Sequence, residues 1–520
     1  LTDICLIFEV HQPFRLNRNL HASLLAQPQV KTGDLFELYF DNALNRHVFE
    51  RAARKCYFPA NSILLEQIDH FDHERKQFKV AYSISGVFIE QCQRWNPDLL
   101  DSFKQLAETG CVEFFDETYY HSLSSLFGID RSEYIEQIKM HRQLMKDLFN
   151  YEPKVLVNTE CIYNNPLAKL AENMGYEAMI TEGVDRLLNW RSPNYIYKAK
   201  DSNLCVLLRN YRLADDIGFR FSAGWWSEYP LTAQKYASWL ASAQGQVVNL
   251  YMDYETFGEH HWPESGIHEF LKWLPGEVIK WHHLNWATPT EVVKWHQPVG
   301  EIDVDEYHSI SWADLERDIT AWLVNPMQLI CYDQLRQLEP VVKQIGNPDF
   351  LRLWRYLQMS DHLYYLSLKG GGPGDVHSYF NPLSSPVEAF AVYSSVLSDF
   401  VARVMRELEK PEWIARRLLQ PVPAEKGFTF FHEFARPTYL TVQSLEEFLA
   451  ALRTVDSKSL RFHTERGDFE RWVRQVIGDD KLADGLNALT NEKLSAEKLR
   501  TRTAALVEHR INELKTIAKL

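Results

Sequence analysis

Apolar and polar positions follow one rhythm up to about residue 300 and another after it. Short apolar runs at 4–10, 79–83, 112–115, 155–158, 178–181, 204–208 and 247–252 have the length and residue content of buried strands. Between several of them, apolar residues recur at three- and four-residue spacing, as in 131–149 and 166–174, and predict helices. Strand–helix alternation predicts a parallel α/β sheet, and about seven such units predict an incomplete TIM-like barrel. A doubly wound sheet has the same alternation, but no GxGxxG follows the first strand.

Beyond residue 300 the pattern is helical. Ser311-Trp312-Ala313-Asp314 reads as a helix start, with Ser311 as N-cap and Asp314 in the first turn. Amphipathic periodicity then runs to 345, and resumes at 348–368 and 385–408. The intervening 369–385 holds Gly370-Gly371-Gly372-Pro373-Gly374 but lacks the GK[ST] ending and preceding strand of a phosphate loop. With Gly371, Asp375 and His377, it reads as a lid over a cleft or as a plain connector. Pro421-Val422-Pro423 reads as a linker, and 444–452, 468–477 and 496–519 as charged helices of an appended packing module. The expected domains are a barrel at 1–300, a helical bundle at 301–420 and a small helical domain at 421–520.

Composition narrows the classes. A chain of 520 residues exceeds one hydrophobic core, and 45% hydrophobic with 24% charged residues is an ordinary globular balance. Lys plus Arg total 56 against 70 Asp plus Glu. The resulting −14 repels phosphate backbones, and no basic patch offsets it, so nucleic acid is not an expected partner. No stretch approaches the roughly 20 apolar residues of a spanning helix, so no membrane partner is expected. Residues 1–10 lack the basic region of a signal peptide and read as a strand. Seven scattered cysteines without a CxxC pair argue against a disulfide framework and for a reducing cytoplasm. The 15 Trp, 24 Tyr and 29 Phe suit a core, and equally a cleft that stacks sugar faces.

Barrel enzymes keep their chemistry at the C-terminal ends of the strands. Here those ends offer His11-Gln12-Pro13, Glu113 leading on to His121, Asn158-Thr159-Glu160, and Asp253-Tyr254-Glu255 followed by Glu259-His260-His261. In extended chain Asp253 and Glu255 would share a face. Any one of these is an ordinary surface or helix-start residue. Convergence of four strand ends on one mouth gives them weight. Two carboxylates at an aromatic cleft fit glycosidic-bond chemistry, with retention at a gap of about 5–5.5 Å and inversion at a wider one. The same histidines and acids fit a metal-assisted hydrolase, and without an HExxH pair the spacing leaves both open.

The ordered set of His11-Gln12-Pro13, Gly110-Cys111-Val112-Glu113, Asn158-Thr159-Glu160-Cys161-Ile162-Tyr163-Asn164, Tyr251-Met252-Asp253-Tyr254-Glu255-Thr256-Phe257-Gly258-Glu259-His260, and Ser311 through Leu323 resembles the five signature regions of glycoside hydrolase family 57. The likeness is to its α-amylase-like branch and spans roughly residues 4–400. It implies an incomplete seven-stranded (β/α) barrel followed by a helical bundle over the cleft. It also implies retaining cleavage or transfer of α-glucans such as malto-oligosaccharides, with no metal or other cofactor. Glu160 matches the nucleophile and Asp253 the general acid/base, while His11, Glu113 and Glu255 match residues lining the innermost subsite. His121 and His260 lie in the same strand-end segments. Asp361 and His362 resemble a segment near the cleft, and Trp225-Trp226 is placed by position as a stacking loop. Two readings stand beside this one: a metal-dependent carbohydrate hydrolase or deacetylase, and a glucan-binding protein without turnover.

Overall fold

A computed structural model of the chain describes residues 1–26, 29–71, 77–128, 130–369, 381–490, 492 and 494–520. It divides into two compact units, Leu1–Asp399 and Phe400–Leu520. The helices from Pro326 to Tyr364 belong to the same unit as the sheet, so the expected boundary at 300 does not coincide with a division between these units. The second expected boundary, at 420/421, lies within the second unit.

Seven strands of the first unit run parallel around a nearly closed barrel: β1 (Thr2–Val10), β2 (Val80–Ile84), β3 (Val112–Phe114), β4 (Val155–Val157), β5 (Ala178–Glu182), β7 (Cys205–Arg209) and β8 (Val247–Asp253). Full ladders join β1 to β2 and β8, β2 to β3, β4 to β5, and β5 to β7. The two remaining joints are thin. A single bridge, Asp116 with Leu156, links β3 to β4, and one pair, Arg209 with Asn249, links β7 to β8. Three short strands are peripheral: β6 (Tyr197–Ala199) antiparallel to β7, β9 (Leu284–Trp286) beside β1, and β10 (Glu301–Ile302) beside β6. All seven barrel strands coincide with the apolar runs read from the sequence.

Side-chain alternation along the strands explains both the core and the site. In β1, Ile4, Leu6, Phe8 and Val10 pack outward in the core shared with the helices, whereas Cys5 and Ile7 pack in the lumen with Ala81, Val155, Val157, Ile180, Leu207 and Tyr251. Continuing the inward parity by one step brings Glu9 into the lumen on β1 and Asp253 on β8, and these two are register partners. The same step brings in Ser83, Glu182 and Arg209. The upper layer of the lumen is thus polar because strand parity carries charged residues there, not because a loop inserts them.

Local caps start the surrounding helices. Ser85 Oγ accepts from Phe88 N at the start of Gly86–Trp95, and Asn164 and Asn210 cap Asn165–Asn173 and Tyr211–Gly218. The expected helix from Ser311 does not form. Residues there make bends and a short 3-10 turn, Ile319–Ala321, with positive φ at Asp314 and Arg317. Tertiary bonds from Trp312 and Arg317 to the barrel override the local helical pattern. The helix begins instead at Pro326, where Asn325 and Gln328 form a capping box, and runs to Ile345. Helices Pro348–Tyr356, Ser360–Tyr364 and Pro386–Leu408 follow. The glycine run with Gly371, Asp375 and His377 lies outside the described residues.

The second unit is mainly helical but contains, after helix Pro411–Leu419, a hairpin the helical reading had not contained, β11 (Phe428–Glu433) and β12 (Arg436–Val442). Phe428 and Phe430 pack there with Phe448, Phe469 and Trp472. No described helix is long and apolar enough to cross a membrane.

Candidate active site

A cavity opens at the C-terminal mouth of the barrel and takes in about 1140 Å³, open mouth included. His11, His121, Glu160, Asp253, Glu255, His260 and Asp361 all line it. Glu160 follows β4 in a left-handed conformation (φ 60°, ψ 24°), and Cys161 is left-handed as well. Such strained backbone at a carboxylate persists only where its surroundings fix it. Here Trp312 donates its indole N–H to Glu160 Oε2 at 2.7 Å, and Ser360 donates to Oε1 at 2.8 Å. His121 Nε2 lies 3.6 Å from Oε1. The Trp312 backbone N–H also donates to the Glu160 carbonyl at 3.2 Å. Donors on both oxygens favour a carboxylate anion.

Asp253 ends β8 on the opposite wall. Desolvation in the cleft and the nearby Glu160 charge push its carboxyl up to about 7, against the pull of Arg209 and His121. The arrangement therefore separates two acids, one addressed by donors and the other inclined to keep its proton. Glu255 does not reach the cleft by strand alternation, because β8 stops at Asp253 and Tyr254–Thr256 forms a 3-10 turn. It accepts from Tyr57 Oη, and burial with the Asp253 charge pushes it up to about 8. Gly258, inside the same motif, has φ 135°, and a Cβ there would meet the Lys55 carbonyl at 1.9 Å, so the turn after Asp253 requires glycine.

His11 joins barrel and helical segment, with Nδ1 2.7 Å from Ser85 Oγ and Nε2 3.1 Å from Asp361 Oδ2. Its ring stacks on His121 at 4.0 Å. Burial and His121 push its pKa down.

Four expected residues are not in the cleft. Glu113 pairs in register with Ala81, level with Ile7, one lumen layer below Glu9. Its carboxylate accepts from the Thr290 backbone N–H at 3.0 Å and from the Thr290 hydroxyl. Strand β3 ends at Phe114, and the acid its C-terminal end delivers upward is Glu117, three residues past that end. Trp225 is 82% exposed, and Trp226 packs edge-on against Trp239; the aromatic side chains that line the cleft are instead Phe219, Trp312 and Tyr364. His362 is buried, tilted against Tyr393 and Phe40, while its neighbour Asp361 lines the cleft.

The structure adds residues that spacing did not single out. Arg209 donates to Glu182 at 2.9 Å, to Asp215, and through Nε to the Tyr251 carbonyl at 2.6 Å. Arg317 donates to the same Glu182 at 2.6 Å and thereby ties the Trp312 loop to β5. Arg209, Asp215 and Arg317 line the cleft. Strand parity was the available signal, since Glu182 and Arg209 each sit at the inward end of a strand. Among the described residues, Glu9, Glu117 and His121 form the group able to hold a metal ion, with ligand atoms within 4.8 Å of one another.

Residues 5–305 match the family model for glycosyl hydrolase family 57. Over 414 residues the chain is 48% identical to a provisionally named alpha-amylase of Methanocaldococcus jannaschii, covering 78% of this chain and 85% of that protein. A branching enzyme of the same family from Thermococcus kodakaraensis superposes with a TM-score of 0.55 at 13% identity, over 78% of this chain and 91% of its own. The 4-alpha-glucanotransferase of Thermococcus litoralis superposes at 0.51 with 17% identity, over 82% of this chain and 61% of its own. These two likenesses establish the fold.

Proposed function

Because the chain belongs to glycosyl hydrolase family 57, we propose that it is a retaining enzyme acting on α-1,4-linked glucans by double displacement. The observation that carries this reading is the split pair of acids across one cleft, Glu160 addressed by Trp312 and Ser360, Asp253 pushed up to about 7.

In this reading Glu160 attacks the anomeric carbon while Asp253 gives its proton to the leaving glycosidic oxygen. Ester formation removes the Glu160 charge, the second cause of the Asp253 shift, so the acid becomes more acidic as it turns into the base for the next step. Asp253 then deprotonates the acceptor and the ester opens. Water as acceptor makes the enzyme a hydrolase of the amylase type, and another glucan makes it a glucanotransferase. In this reading His11, Asp361, Glu255, His260 and His121 contact the sugar in the innermost subsite, with Trp312 and Phe219 as apolar faces, an assignment supported by their common lining of the cleft. We place the enzyme in the cytoplasm, a reading supported by seven cysteines scattered along the sequence with no CxxC pair.

The test is the product profile on maltoheptaose, run beside Glu160→Gln. Longer as well as shorter oligomers mean transfer, and shorter ones alone mean hydrolysis. Glu160→Gln is expected to be silent, and a variant as active as the parent removes Glu160 from the mechanism.

A further inference from the structure

In the polar upper layer of the lumen, two carboxylates and an imidazole turn ligand-type atoms toward one point. His121 Nδ1 lies 3.0 Å from Glu117 Oε2 and 3.5 Å from Glu9 Oε1, and the three atoms lie within 4.8 Å of one another. Glu9 and His121 are each 4% exposed, and Glu117 is fully buried. The other oxygen of each acid is already taken. Tyr251 Oη donates to Glu9 Oε2, and Ser83 Oγ donates to Glu117 Oε1 at 2.9 Å. That leaves one oxygen of each acid facing the imidazole, and Glu9 Oε1 accepts no hydrogen bond from any described residue.

A proton on Nδ1 does not complete this set. It serves Glu117, at the shorter distance, and Glu9 Oε1 stays bare in a dry site. One cation answers all three atoms. Ligand atoms bonded to a single ion at about 2.0–2.2 Å sit about 3–3.5 Å apart, the spacing that Nδ1 keeps to both acids. Two carboxylates with a dication are also neutral together, so the buried set is left with no unpaired charge. We propose that Glu9, Glu117 and His121 form a site for one divalent transition-metal ion, bound through Glu9 Oε1, Glu117 Oε2 and His121 Nδ1.

The surroundings are those of a built site. Strand parity brings Glu9 into the lumen on β1, and its register partner there is Asp253. The loop after β3 supplies the other two ligands. His121 has φ 49° and its N–H returns to the Thr118 carbonyl at 2.9 Å, which brings positions 117 and 121 together. The His11 ring stacks on His121 at 4.0 Å and fixes its plane. Tyr251 and Ser83 orient the two carboxylates, as outer-shell donors do around bound metals. An imidazole nitrogen with two carboxylate oxygens suits zinc and its first-row neighbours, whereas calcium and magnesium take oxygen alone. Glu160 and Asp253 supply no ligand atom, so the ion is structural and the double displacement stays with the two acids.

Zinc alone is the probe. Chelator-stripped wild type is expected to take up one equivalent from zinc-containing buffer and keep it through dialysis, counted by plasma mass spectrometry. Crystals of the loaded protein are expected to show an anomalous peak at the zinc edge between Glu9, Glu117 and His121. By calorimetry, Glu9→Gln and Glu117→Gln each bind zinc about a hundredfold or more weakly than the wild type, since even outer-shell partners are worth 10–100-fold. Glu113→Gln, a buried acid outside the set, binds it as the wild type does. Stripped wild type that takes up no zinc overturns the proposal, as does a peak elsewhere or an affinity unchanged in both ligand variants. Should the variants not fold, the wild-type peak decides alone. Uptake is read without turnover, so a chain inert on maltoheptaose sinks the retaining reading and leaves the metal site to its own measurement.

Discussion

Replacing Asp253 by Asn is expected to stabilise the protein above neutral pH while silencing it. A carboxyl held at about 7 in the folded chain and at 3.8 in the unfolded one binds its proton more tightly when folded. Its stabilising contribution is complete below pH 3.8 and is lost as pH rises through 7, a total of about 4 kcal/mol. Asn has no proton to lose, so the variant escapes that loss. Between pH 5 and pH 8 its advantage over the wild type should grow by about 2–3 kcal/mol. Removing the Asp253 charge also relieves Glu255, whose lift owes its second cause to that charge, which adds with the same sign. Urea unfolding read by tryptophan fluorescence is a suitable assay, because only Trp413 and Trp472 lie outside the first unit. With a slope of about 3 kcal/mol per molar for a unit of this size, the gap between midpoints should widen by roughly 1 M urea from pH 5 to pH 8. Activity on maltoheptaose should fall by about 10²–10⁴-fold, the usual range for a lost general acid. Stability–pH curves that run parallel for the two proteins would show that Asp253 is not held protonated by its surroundings.

Trp312→Phe removes an N–H from Glu160 while keeping an aromatic ring against Tyr251, and should lower kcat by about 10–10²-fold in steady-state assays with an unchanged thermal midpoint. Glu113→Gln should leave kcat/KM on maltoheptaose within about twofold at neutral pH, because its carboxylate is held by Thr290 a layer below the cleft; a hundredfold loss would return Glu113 to the substrate. Arg317→Met leaves buried Glu182 with Arg209 alone and should cost about 2–4 kcal/mol by urea titration, with a lower kcat as the Trp312 loop loosens.

The barrel was legible because a strand covered on both faces shows up as an uninterrupted apolar run, and each of the seven runs became a strand. The positions of Glu160 and Asp253 at strand ends were legible for the same reason, since a run of apolar residues stops where the lumen turns polar. Depth within the lumen was not. Glu113 and Glu117 lie at different heights, and only the register of β3 against β2, with Glu113 level with Ala81, separates a residue one lumen layer below Glu9 from one bonded to His121. The loop at 311–318 failed in the opposite direction. Its local pattern favours a helix, yet one indole bond to Glu160 and one guanidinium bond to Glu182 hold it open against that preference. Both misreadings have one physical source: register and long-range polar bonds join residues far apart in sequence, and local periodicity contains no term for them. At 311–318 the sequence pattern and the fold disagree where barrel and helical segment are bonded to each other, and the Trp312 loop is where that bonding reaches Glu160.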